Sequence, residues 1–317
     1  MSDTETERGR VEAAIGALSG WAGRSLTIEA ATVVMASPSW RGVDGTPWRV
    51  RDAETGESVI VKTMHEDSAL YIDTACAFSA AQQAAQAGLG PRVVHTDLGA
   101  GVLVMEDLDD GWRTGTLELL LDPEIRDGVI AARQAFHKGP ALSRNVSVFH
   151  EIDRFDADAR AAAAYLPADI DWLVENLRMA GDAIKASGVD PVPAHGDGNV
   201  SNMLVGPEKQ IRLIDWDRAA NMDPFEDVGS FLAEAYPFDM EAQAAFEVFH
   251  GRLDERLFNR ARLYGLADDL RWGLIGALLA AKSPRTKVEF LKFADWRFLR
   301  CRMGLRDPRF AERLRRV

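Results

Sequence analysis

The residues whose types and spacing could do chemistry are concentrated in one stretch: His195-Gly196-Asp197-Gly198-Asn199-Val200-Ser201-Asn202, then Met203-Leu204-Val205, a turn at Gly206-Pro207, and Ile211-Arg212-Leu213-Ile214-Asp215-Trp216-Asp217. A carboxylate, an amide five residues later on the same loop, and a second carboxylate at the end of a returning apolar strand form a layout suited to phosphoryl transfer. That reaction needs little covalent help from a protein; the work is to position the acceptor and neutralise charge spread over the phosphate oxygens. In this layout Asp197 accepts the proton of an acceptor hydroxyl or orients that hydroxyl. Asn202 and Asp215 offer hard oxygens from two sides of a hairpin, which suits magnesium bridging nucleotide phosphates. Asp217 is either an outer acid or a contact to the acceptor. Asp and Asn also cap turns, but here three residue types, two spacings and a strand context agree.

Such a loop has to be carried by a scaffold, and the chain is long enough for one. It has 317 residues, 47% of them hydrophobic and 27% charged, a globular composition. A chain of this size buries roughly 75% of the surface its unfolded form exposes, enough for one large core or two smaller ones. Cys76 and Cys301 lie far apart and show no metal-ligand spacing, so neither a disulfide framework nor a zinc site is expected. The first residues lack the basic start and apolar stretch of a secretory signal, and the most apolar run, Gly273 to Ala281, is about half of the roughly 20 residues a membrane span needs. The expectation is a cytoplasmic protein without a membrane partner. With 37 Lys+Arg against 49 Asp+Glu, the net charge of −12 argues against nucleic acid as a partner and is compatible with a cationic small substrate.

Along the chain, Val11, Ile15, Leu18 and Trp21 recur at helical spacing before Gly23. Strands are expected at Leu26 to Met35, Trp48 to Val50, Ser58 to Met64, Val93 to His95 and Gly101 to Met105, with an Ala-rich helix from Ser68 to Ala87 stopped by Gly88. After Glu106-Asp107-Leu108-Asp109-Asp110-Gly111 the character becomes helical: Thr116 to His137, Ile170 to Ser187, Phe225 to Tyr236, Glu241 to His250, Leu266 to Lys282, and a last helix through Trp296 and Arg300. The expected organisation is a smaller α+β lobe over residues 1–106 and a larger, mainly helical lobe over 107–317. No internal repeat or low-complexity linker is present.

With these parts in place, the chain resembles the choline/ethanolamine kinase and aminoglycoside phosphotransferase family. The resemblance rests on His195-Gly196-Asp197 with Asn202, Ile214-Asp215-Trp216-Asp217, and Asp223-Pro224 with Asp227-Val228-Gly229, and it runs from Leu26 to about Leu305. It implies a protein-kinase-like two-lobed fold of α+β class, with a small antiparallel-sheet N-lobe that binds nucleotide and a mainly helical C-lobe. It implies ATP and Mg2+ as cofactors, Asp197 as the catalytic residue, Asn202 and Asp215 as metal ligands, and Asp227 as a buried brace of the catalytic loop. It further implies that Lys62, in Val59-Ile60-Val61-Lys62, grips nucleotide phosphates, and that backbone groups of residues like Glu106 and Leu108 hold the adenine. His195 and His137 are read as structural. A Gly follows His195 where protein kinases carry an Arg, and Met222 follows Asp215 by only seven positions, which leaves little room for an activation segment; small acceptors are expected, not proteins.

The sequence departs from the family pattern in several places. No Glu occurs from Ser68 to Gly88 to pair with Lys62, which leaves Asp73, a carboxylate from elsewhere or the nucleotide itself to orient it. The phosphate-covering segment, Ser37-Pro38-Ser39-Trp40-Arg41-Gly42-Val43-Asp44-Gly45, has two glycines and several hydroxyls, with Ser37, Ser39 or backbone amides as candidate phosphate contacts. Gly198 replaces a bulky apolar residue, which adds backbone freedom to the loop. On the acceptor side, Glu234 matches an acidic position of choline kinases and Trp272 one of their pocket tryptophans, but the second falls at Ile275, leaving Tyr236, Trp216 or Trp296 to replace it. An indole face attracts a cation by about 0.5–2 kcal/mol, so these residues imply a cationic amino alcohol as the hydroxyl acceptor. The competing expectations are an aminoglycoside, thiamine or another small-molecule acceptor, and a nucleotide-binding module without catalysis. Oligomeric state is not encoded in any of these features.

Overall fold

The computed structural model describes residues 3–32, 34, 40–108 and 111–317; Ser37, Ser39, Asp109 and Asp110 lie outside the described residues. The chain opens with α1 (Asp3–Gly16), followed by β1 (Leu26–Ala30), β2 (Gly45–Asp52) and β3 (Ser58–Met64), then α2 (Thr74–Gln86), β4 (Val93–Asp97) and β5 (Val102–Glu106). The five strands form one antiparallel sheet in the order β1-β2-β3-β5-β4. One face of the sheet presents Trp48, Val50, Val59, Val61, Val102 and Val104 to Val11, Ile15, Leu18 and Trp21, so the helical spacing read at the start is the stripe that closes this small core. In register, Lys62 stands opposite Pro47 and Leu103.

Helix α2 begins later than expected. Residues Glu66–Leu70 form a short 3-10 turn, and Asp73 is the N-cap, its side chain accepting from Cys76 N. This uses an orphan helix donor, so Asp73 is committed to the cap and not to Lys62. At the other end Gly88 has φ of 69°.

Beyond β5 the chain forms β6 (Arg113–Thr114), α3 (Pro123–His137), α4 (Val148–Ala161), α5 (Ile170–Ala186), β7 (Val192–Ala194), β8 (Met203–Val205), β9 (Ile211–Leu213) and β10 (Ala220–Met222), then α6 (Pro224–Ala235), α7 (Asp239–His250), α8 (Glu255–Lys282), α9 (Phe290–Leu305) and α10 (Arg309–Arg315). Helix α3 starts at Pro123, not Thr116, because Asp122 caps it by accepting from Glu124 N and proline is favoured in the first turn. Asp223 and Pro224 start α6 in the same way. Helix α4, not anticipated in the sequence, buries Val148, Ile152, Phe155 and Ala159. The core of this lobe is α8, whose residues from Leu270 to Leu279 are all buried, packed by α4, α6 and α9. Both cysteines are buried and free. Among the described residues no helix is long and apolar enough to cross a membrane. The architecture is protein-kinase-like: an antiparallel-sheet lobe over a mostly helical one.

Candidate active site

The catalytic-loop candidates are positioned by the short pairings β7–β10 and β8–β9. Between β7 and β8 the chain passes under α6. Gly196 has φ of 75°, and a Cβ there would come within 2.5 Å of the Arg218 carbonyl. A Cβ on Gly198 would lie 2.2 Å from the Ser230 carbonyl oxygen of α6. Gly198 therefore lets helix backbone and loop backbone touch; it seats the loop instead of loosening it.

Asp197 is 8% exposed. Its Oδ1 accepts from Asn199 N at 2.8 Å and its Oδ2 from Asn202 Nδ2 at 3.0 Å. Burial, together with the nearby charges of Asp215, Asp268 and Asp44, pushes its pKa up to about 7 against the Asn199 N–H that pulls it down, in the range useful for proton acceptance near neutrality. Below it, Asp227 is fully buried and accepts from Gly196 N at 2.8 Å and from Arg133 Nη1 at 2.6 Å, and contacts His137 Nε2 at 2.8 Å. Burial alone would raise its pKa, but Arg133 and His137 outweigh that and hold it well below the usual carboxylate range. Arg133 also donates to the Asp197 carbonyl at 2.6 Å, so one guanidinium ties both aspartates together. His195 lies 2.9 Å from the Ile214 carbonyl and edge-on to Trp216; burial and Arg133 push its pKa down to about 4, leaving it neutral at physiological pH.

Asp215 is brought opposite by the turn after β9, with φ and ψ both 64°, a left-handed conformation rare outside glycine and costly enough to mark functional sites. Lys62 Nζ reaches across from β3 to Asp215 at 2.5 Å and to Asp217 at 2.6 Å. The absent helix glutamate is thus answered from another element: the lysine is oriented by two carboxylates at the end of the hairpin. Asp217, expected as an outer acid or acceptor contact, lies in this ion pair. Asp44, just before β2, completes a group in which one oxygen from each of Asp44, Asp215 and Asp217 lies within 4.8 Å of the others. Three carboxylates against one bonded ammonium leave this buried site short of positive charge, and Asn202, whose donor goes to Asp197, still has its Oδ1 to offer. The Asp215 carboxylate and the Asn202 amide oxygen are hard ligands of the kind that fits a magnesium ion.

A cleft of about 270 Å³ connects these groups to the sheet. It is lined by Ile60, Lys62, Met105, Glu106, Leu108, Asn202, Leu204, Ile214 and Asp215. Glu106 accepts through Oε1 from Arg92 N at 2.7 Å, and Asp107 is gripped by Arg49 at 2.7 and 3.1 Å, which fixes the segment leaving β5 at the cleft edge.

The acceptor-side residues are dispersed. Glu234 is paired with Arg297 and, at 3.2 Å, with Arg300; burial raises its pKa but the two guanidiniums dominate and lower it. Tyr236 is buried edge-on against Phe231. Trp296 is 45% exposed, and Trp216 packs on Phe136 and His195. Two aromatic neighbours of Trp272 come from the other lobe, Trp40 at 5.3 Å and Tyr71 at 6.2 Å between ring centroids, and Phe293 of α9 lies at 6.2 Å. Asp44, Trp40 and Tyr71 were not singled out as site residues in the sequence, and neither was Glu151 of α4. Glu151 bonds Arg218, Arg271 at 3.1 Å and Arg144 at 2.6 Å, and Arg271 donates to the Gly196 carbonyl.

This geometry agrees with what the chain is similar to. The model of the phosphotransferase enzyme family matches residues 36–266, so the chain belongs to that family, and with it to the small-molecule kinases. No curated protein matches the sequence significantly. Among solved structures, a choline/ethanolamine kinase family protein from Mesorhizobium loti superposes with a TM-score of 0.80 at 22% identity, covering 98% of each chain. The choline kinase LicA from Streptococcus pneumoniae gives 0.77 at 16% identity over 95% of this chain and 99% of its own. A spectinomycin phosphotransferase solved with ADP and spectinomycin gives 0.56 at 15% identity, covering 91% and 92%. At these identities the likeness is one of fold.

Proposed function

We propose that this chain transfers the γ-phosphoryl group of ATP, with magnesium, to a hydroxyl of a small cationic metabolite of the choline or ethanolamine kind, and that it does so in the cytoplasm. The observation that carries this reading is Asn202: its amide is bonded to Asp197, and it lines the cleft together with Lys62 and Asp215. Base, cation site and phosphate-binding lysine therefore share one space. In this reading residues 1–106 hold the nucleotide and 107–317 the acceptor. Backbone groups at Glu106 and Leu108 take the adenine edge, and Lys62, held in place by Asp217, takes phosphate oxygens in exchange for its contact with Asp215. Asn202 and Asp215 would hold the magnesium, which when bound supplies charge neutralisation on the phosphates. Asp197, fixed by Asn199 and Asn202, orients the acceptor hydroxyl and receives its proton as the oxygen attacks phosphorus. Trp272 supplies an aromatic face to the acceptor's cationic group.

Two other readings have specific support. Pairing of Glu234 with Arg297 and Arg300 removes the acid expected to face a choline-like ammonium, which favours another small-molecule acceptor. The missing helix glutamate favours a nucleotide-binding module without catalysis, although Lys62 has acquired other partners. An ATP-consumption assay over amino alcohols, aminoglycosides and thiamine separates all three; ATP binding without turnover of any acceptor would select the module. Asp197→Asn is expected to lower turnover about a hundredfold or more while ATP still binds, and near-normal turnover would refute the role given to Asp197. Trp272→Ala is expected to raise KM for a cationic acceptor far more than KM for ATP, whereas equal effects on both would indicate core damage.

A further inference from the structure

Trp40 carries its indole across from the segment before β2 into the C-lobe. Its ring centroid lies 4.3 Å from Phe293, 5.3 Å from Trp272 and 5.9 Å from Phe290, and it meets Tyr71 edge-on. All five side chains are 5% exposed or less, so the box they form is filled by Trp40 itself. At its floor lies Asp44, also 5% exposed. Trp40 Nε1 donates to Asp44 Oδ1 at 2.7 Å, and the Tyr71 hydroxyl donates to the same oxygen. Trp40 holds this position with a φ of 47°, two residues before Gly42 at 64°, and it also borders the nucleotide cleft.

A fixed carboxylate at this point is ill suited to receive phosphate, because like charge repels it. It is well suited to receive a cation, and an aromatic surround strengthens that attraction as water is excluded. The carboxylates first expected in that role are engaged, Glu234 by two arginines and Asp217 by Lys62. One oxygen of Asp44 also lies within 4.8 Å of one of Asp215, and Asp215 lines the cleft together with Asn202 and Lys62.

We infer that Asp44, with Tyr71 and Trp272, forms the subsite for the ammonium group of the acceptor, and that Trp40 fills this subsite in the acceptor-free protein. On binding, an ammonium group takes the place of the indole ring, and the indole N–H leaves Asp44 Oδ1. This deepens the proposed function and rests on its cationic-acceptor reading. An indole is larger than a trimethylammonium group, so the vacated space admits one.

The test uses the full chain with choline and ethanolamine, and with 3,3-dimethylbutan-1-ol as the uncharged isostere of choline. Asp44→Asn keeps an oxygen for the Trp40 and Tyr71 donors while removing the charge. It is expected to raise KM for the cationic acceptors about tenfold or more, with KM for the neutral alcohol and for ATP no higher than in the wild type. Choline is expected to red-shift tryptophan emission in the wild type but not in Trp40→Phe, and melting temperatures of both variants report on folding. Turnover of choline or ethanolamine with unchanged KM in Asp44→Asn, or an emission change that persists in Trp40→Phe, would overturn the subsite and leave the proposed function standing. Wild-type turnover of no cationic alcohol would instead overturn the cationic reading, and the subsite with it.

Discussion

Asp215 and Lys62 lie 153 positions apart yet meet at 2.5 Å. Asp215 adopts its left-handed conformation because the hairpin end has to turn its carboxylate back toward β3, and the lysine contact helps to hold it there. Asp215→Ala is expected to abolish the magnesium-dependent part of ATP binding; an unchanged magnesium titration in calorimetry would count against metal ligation. Asp217→Asn leaves Lys62 with one carboxylate, and KM for ATP is expected to rise about tenfold, roughly the loss of one charge-assisted hydrogen bond. An unaltered KM would show that Asp217 does not orient the lysine. Residues such as Asp197, Asn202 and Asp215 were legible in the sequence because one loop and one hairpin fix their spacing locally. Asp44 and Tyr71 were not, since only the packing of one lobe on the other places them at the site. Glu234 was legible as an acid, but its two arginine partners on α9 follow from helix packing that sequence spacing does not encode.

Helix α4 shows how an element can be missed although its signal is present. Val148, Ile152, Phe155 and Ala159 recur at spacings of four, three and four, a helical stripe interrupted by enough charge to obscure it. That charge includes Glu151, which links Arg144, Arg218 and Arg271 beneath the loop that carries Asp197. Burial alone would raise the Glu151 pKa, yet the three guanidiniums hold it at about 2 against an ordinary 4.5. A carboxyl whose folded pKa is depressed contributes its full stability above its unfolded pKa and loses it as pH falls toward the folded value. Thermal melts are therefore expected to show stability falling between pH 4.5 and about 2, with a shallower fall in Glu151→Gln. The same variant should be less stable at neutral pH by about 3 kcal/mol, since removing one partner leaves buried guanidiniums uncompensated. Parallel curves would remove Glu151 from the account. Helix boundaries were legible where caps are strong, as at Gly88, and shifted where a later capping aspartate, Asp73 or Asp122, starts the helix.

At the scale of the molecule, the two lobes are joined by more than the chain. Arg285, between α8 and α9, donates to Asp67 at 2.9 and 2.8 Å and to the Val43 carbonyl at 2.8 Å. Arg218 donates to the Tyr71 carbonyl at 2.6 Å, and Cys76 Sγ contacts the Ala219 carbonyl. Arg285→Ala is expected to lower stability by about 2 kcal/mol and to speed hydrogen exchange around residues 41–45 and 66–71 relative to α8; uniform exchange in both proteins would show that the clasp holds nothing. The two-lobed architecture was legible from the shift in periodicity after Glu106, whereas the clasp depends on a loop that carries no pattern. Trp40 has a place in both halves of this arrangement, bordering the cleft lined by Lys62 and Asp215 on one side and packing against Trp272 on the other. If nucleotide as well as the ammonium group displaces that ring, the work of moving it is shared and the two affinities are thermodynamically linked. By reciprocity, the factor by which nucleotide sharpens the hold on the second substrate equals the factor by which that substrate sharpens the hold on nucleotide.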